Sequence, residues 1–96
     1  MAVNVSGAST PRPANVEKPR LTRSRGALVC SRGRWSNSPS RYSYRWFVNG
    51  RRKRGATGRR LAITRTLQGR AVRCEVTAFN AGGSKTASSR TLRLKY

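Results

Sequence analysis

Residues 73–84 read "RCEVTAFNAGGS", and with Ala71 and Val72 before them they form the most regular stretch of the chain. Val72, Cys74, Val76 and Ala78 recur at every second position, and Arg73, Glu75 and Thr77 fill the places between them. That period of two belongs to a β-strand with one face buried and the other in water. Asn80 to Gly83 then supplies turn chemistry. The stretch therefore predicts a strand that carries a cysteine inward and ends in a tight turn.

Working outward, the same pattern returns in short segments. "GALVCSR" places Leu28 and Cys30 on one face and Val29 on the other. "RYSYRWFVNG" places Tyr44, Trp46 and Val48 on one face, with Arg45 and Phe47 opposite, before Asn49-Gly50, a pair that tolerates positive φ and predicts a turn. "RRLAITR" points Leu61 and Ile63 inward. Near the end, Leu92 and Leu94 share a face in a last strand. No stretch of ten or more residues follows a helical period. Short strands at this spacing predict an all-β sandwich or barrel.

The first twenty residues differ. "MAVNVSGASTPRPANVEKPR" is small and polar, and Pro11, Pro13 and Pro19 fix φ and remove donors, which predicts an extended arm or linker over 1–20 ahead of a domain at 21–96. Ninety-six residues hold one small core and no second one.

Composition bounds the function. The chain has 22 Lys and Arg against 2 acidic residues and a formal net charge of +20. Such an excess attracts polyanions and makes binding salt-dependent; all but Lys18, Lys53, Lys85 and Lys95 of these cations are arginine, so codon bias in a GC-rich genome is a competing origin. There is no histidine and no aspartate, and Glu17 and Glu75 are the only acidic residues. General acid–base catalysis needs titratable groups that this inventory does not offer, and two cysteines without histidine cannot complete a zinc site. No phosphate-binding glycine loop and no apolar run of membrane-spanning length is present. The expectation is a non-catalytic structural or binding protein with no cofactor, no metal and no small-molecule substrate.

Cys30 and Cys74 both fall on the buried parity, and Trp46 stands between them on the same parity. This Cys, Trp, Cys order over successive strands resembles the immunoglobulin-like sandwich. The likeness extends through Leu28/Cys30, Gly33/Trp35, Tyr44/Trp46, Asn49/Gly50, Gly55 to Thr57 and Gly69 to Gly83, and is similar to the immunoglobulin-like modules of secreted actinobacterial proteins and of tailed-bacteriophage structural proteins. The resemblance covers roughly residues 20–95. It implies an antiparallel sandwich of about seven strands, with a Cys30–Cys74 bridge joining the sheets and Trp46 packed on it among Leu28, Tyr44, Leu61, Ile63, Val72 and Val76; two reduced cysteines in the core are the alternative. Val72 stands where antibody-type domains carry the corner tyrosine, and the basic runs depart from the family's neutral or acidic surface.

Those runs are Arg51, Arg52, Lys53, Arg54 and, after Gly55 to Gly58, Arg59 and Arg60. They are expected near one another at a sandwich edge, as a patch for phosphates or an acidic protein surface or as charges that block edge pairing. Tyr42 and Phe47 are expected to face outward beside them, where they could stack on bases. An initial Met, no export-signal layout and the resemblance together suggest a virion accessory protein, decorating capsid or tail subunits at the virion surface through its arm and basic surface. The alternatives are an adhesion or spacer module of a secreted or cell-wall protein, and a non-specific polyanion or nucleic-acid binder.

Overall fold

The computed structural model describes residues 11–94. Its strands are β1 (Ala14–Glu17), β2 (Leu21–Ser24), β3 (Ala27–Cys30), β4 (Arg34–Ser36), β5 (Arg41–Val48), β6 (Arg51–Arg52), β7 (Arg60–Ala62), β8 (Ala71–Asn80), β9 (Gly83–Ser88) and β10 (Leu92–Arg93), with one turn of 3₁₀ helix at Arg65–Leu67. All pairings are antiparallel. One sheet runs β2-β3-β7; the other runs β10-β8-β5-β6, with β9 also on β8; β1 and β4 form a separate ribbon.

β9 and β10 lie on the same edge of β8 and are parted by residues 89–91, beginning at Ser89. There the backbone N–H of Ser89 donates to the Cys74 carbonyl (2.8 Å) and its hydroxyl accepts from the Cys74 N–H (2.9 Å). The side chain replaces a ladder bond that the bent backbone no longer makes, so no polar group is orphaned. Counting β9 and β10 as one interrupted edge, the two facing sheets hold the expected seven strands, and the β1–β4 ribbon is additional.

The alternation read in the sequence sets the register. β5 pairs with β8 from Arg41↔Phe79 to Val48↔Val72, which sets Trp46 directly opposite Cys74. Leu28, Cys30, Trp46, Val72, Cys74 and Val76 are fully buried between the sheets. Each such apolar side chain contributes roughly 1.5–3 kcal/mol when removed from water. Cys30 and Cys74 form the bridge between β3 and β8, closing a sequence separation of 44. Leu61 is also buried; Tyr44 and Ile63 are half-buried against the cluster. Leu67, in the 3₁₀ turn, and Leu94 complete the lower end, where Gly69 and Arg70 exchange backbone bonds with Leu94.

The residues expected as a free arm divide. Residues 1–10 lie outside the described residues, as do Lys95 and Tyr96. From Pro11 on, the chain is laid on the domain: β1 pairs with β4, Pro13 and Pro19 are buried, and the amides of Asn37 and Asn80 donate to the carbonyls of Arg12 and Pro11, both at 2.8 Å. Gly33 makes this possible. Its φ is +79°, and a Cβ there would collide with the Glu17 carbonyl oxygen. Pro13 and Pro19, two of the three prolines that suggested a linker, are instead buried at either end of β1, where their missing N–H groups cost no ladder bond.

Candidate polyanion-binding surface

The basic runs sit at the lower end of the sandwich and are held there by core residues. At the β5–β6 turn Asn49 and Gly50 take φ values of 51° and 82°, both positive, as a tight hairpin of this type requires. Asn49 also ties the turn to β8: its N–H donates to the Ala71 carbonyl (2.7 Å) and its Oδ1 accepts from the Ala71 N–H (2.9 Å). β6 is two residues long, with Arg52 opposite Phe47 and Arg51 opposite Val48, so the two arginines point to opposite sides. Neighbouring strand residues must do so.

After β6 the chain crosses to the other sheet as a strap. Lys53 N–H donates to the Trp46 carbonyl (2.8 Å), the Trp46 indole N–H donates to the Gly58 carbonyl (2.8 Å), and Cys30 N–H donates to the Arg59 carbonyl (2.7 Å). Both ends of the strap are thus bonded to the two residues at the centre of the core. Cations on it are displayed from a fixed backbone, which lowers the ordering cost of binding.

Arg51, Arg52, Lys53, Arg54, Arg59 and Arg60 are all exposed. They do not form one flat patch. Lys53, Arg54 and Arg60 surround a shallow depression over Gly55 to Gly58; Arg51, Arg52 and Lys53 line a second with Arg70; Arg59 turns toward a third with Arg32, Arg34 and Tyr44. Lys53 joins the first two and the Arg59–Arg60 pair joins the rest, giving a band that wraps the edge. Arg70 is a member that sequence reading missed. Val48 opposite Val72 brings the residues just before β8 to the Asn49-Gly50 turn that leads into β6.

Charge balance is one-sided. Glu17 pairs with Arg34 at 3.4 Å and Glu75 with Arg73 at 2.8 Å, and the Glu75 carboxylate also accepts from Ser88 Oγ. Both acidic side chains of the chain are therefore engaged, and none of the six band cations has a carboxylate partner among the described residues.

Tyr42 corrects an expectation. It lies on the parity of Tyr44 and Trp46, is half-buried against the core, and packs on Trp35 with centroids 6.4 Å apart; Arg32 covers it at 4.7 Å. Its parity with Trp46 was visible in the sequence and argued against an outward ring. It also stands at the end of β5 away from the band. Phe47 does face outward beside Arg52, with the Arg73 guanidinium 4.1 Å over its ring.

Both cysteines are in the bridge, and no group of three or more His, Cys, Asp or Glu that could hold a metal occurs among the described residues. No helix among them is long and apolar enough to cross a membrane. Comparison with protein-family models, with characterised proteins and with solved structures found no match to this chain.

Proposed function

We propose that the chain is a non-catalytic, immunoglobulin-like binding domain that attaches to a densely anionic assembly through the arginine band, and that this assembly is the surface of a bacteriophage particle. The observation that carries the attachment is stoichiometric: 22 basic residues face 2 acidic ones, and both acidic side chains are already paired inside the domain. A surface with so few internal counter-charges gains most from an external one, and arginine forks suit carboxylate and phosphate alike. The phage setting is carried by the family resemblance described above.

The geometry favours the band over the arm as the attachment point. Pro11 is clipped at the β8–β9 turn, beside Arg41, whereas the band begins beyond Val48 at the other end of β5. Seven residue steps at ~3.4 Å separate these ends by roughly 24 Å. The described part of the arm already uses its pairing on the domain, whereas the band cations have no carboxylate partner among the described residues, so residues 11–19 brace the domain while the band makes contact.

Co-sedimentation of the protein with DNA-free phage particles, host cell wall and mixed-sequence DNA tests the reading. Saturable binding to particles at about 150 mM salt, lost when Arg51, Arg52, Arg54 and Arg60 are changed to Glu, is the expected result. Binding to wall or DNA alone, with none to particles, would overturn the phage setting. Binding to none of the three would overturn the electrostatic attachment itself.

A further inference from the structure

We infer that the outer face of the five-stranded sheet is a second binding face, and that its ligand is a single-stranded nucleic acid. This goes beyond attachment through the band. It rests on what the register brings together on the side of the sheet turned away from Trp46.

Cross-strand partners place Arg52, Phe47 and Arg73 in one row, Arg45, Glu75 and Ser88 in the next, Ser43, Thr77 and Thr86 in a third, and Arg41, Phe79 and Ser84 in the last. Rows recur about every 6.8 Å, two residues at ~3.4 Å. An Arg–Phe pair thus stands at each end of the face, with hydroxyls between. The Arg41 guanidinium lies 3.9 Å over Phe79 and that of Arg73 lies 4.1 Å over Phe47. The Thr77 and Thr86 hydroxyls bond each other at 2.7 Å across the middle.

Three features point to one ligand class. The face carries Arg41, Arg45 and Arg52, none with a carboxylate within 4 Å among the described residues, and its one acid, Glu75, is held by Arg73 and Ser88. It is an uncompensated cationic strip. Next, Arg41 is pinned on a ring and so presents its fork and its flat π surface with little rotamer freedom left to lose. Stacked guanidinium and phenyl planes complement unpaired bases, which single strands expose and duplexes hide. Finally, the face offers no helix or protruding ribbon to enter a duplex groove, as base reading in DNA requires. An acidic peptide would satisfy the charge but would leave the stacking planes unused.

Fluorescence anisotropy on the full chain separates these possibilities. The probes are a labelled twelve-residue oligo-dT and an abasic oligomer of the same length and charge, with poly-glutamate as competitor. Oligo-dT is expected to bind at least about fivefold tighter than the abasic strand, the low end of what one stacked base contributes. Phe79→Ala is expected to remove that preference while leaving abasic binding unchanged. Arg41→Gln, which keeps the ring and the packing, should weaken oligo-dT more than Arg65→Gln, an equal charge loss on the exposed 3₁₀ turn. Equal affinity for the two oligomers, or displacement by poly-glutamate as effective as by unlabelled oligo-dT, would overturn the proposal. Particle binding by the Phe79→Ala variant, measured in parallel, is expected to be intact, so failure here leaves the band's role standing.

Discussion

Reducing the Cys30–Cys74 bridge should destabilise the domain by about 4 kcal/mol. The magnitude comes from the separation of 44 residues closed by the bond, because a cross-link of that span removes about 13 cal/mol/K of loop entropy from the unfolded chain. That is a large share of the ~5–15 kcal/mol that holds a small domain together. Little native packing is lost on reduction, since two thiols still fill the site as small apolar groups. For a domain of this size each kcal/mol moves Tm by roughly 4–8 °C, so the expected drop is about 15–30 °C. Both sulfurs are fully buried, and a reductant reaches them only when the core opens. The protein should therefore be reduced in guanidinium, refolded with the reductant present, and compared with the oxidised form by calorimetry. A difference below about 3 °C would refute the reasoning and leave Cys30 and Cys74 as ordinary core residues.

Three further outcomes are expected. Ser89→Ala leaves the buried Cys74 N–H without its acceptor at the β9–β10 break, costing about 1–3 kcal/mol; an unchanged urea midpoint would contradict it. Gly33→Ala forces a side chain at positive φ into the Glu17 carbonyl and should free β1 from β4, seen as cleavage after Glu17 by a low concentration of a glutamyl endopeptidase that spares the wild type. Trp46→Phe keeps most of the ring but loses the bond to Gly58, so amide exchange at Arg59 and Arg60 should quicken; unchanged protection would mean the strap is held otherwise.

How much of this was legible in sequence depends on the element. Where one face of a strand meets the core, parity alone located the inward set, as in β3, β5 and β8, and Asn49-Gly50 marked its own turn. The inward parity of Cys30, Trp46 and Cys74 was readable from the alternation, and the bridge itself was what the immunoglobulin-like resemblance implied. Features made by distant partners were not readable. β1 is exposed on most of its length, and only β4, the Asn37 and Asn80 amides and the close approach at Gly33 turn it from linker into ribbon. Leu67 lies in a single 3₁₀ turn, too short for any period to reveal. Of the surface, residue type was legible but orientation was only partly so. Arg51 and Arg52, adjacent in sequence, point apart, and Arg73 and Glu75 form a half-buried pair where exposed charges were expected.

The account's central claim is that the arginine band binds through charge, and a salt titration of particle binding tests it most directly. Wild type and the variant with Arg51, Arg52, Arg54 and Arg60 changed to Glu would be compared from about 50 to 200 mM salt. The account predicts at least tenfold weaker binding by the variant at about 150 mM and a shallower fall of affinity with salt. Equal affinities and equal slopes for the two proteins would contradict it.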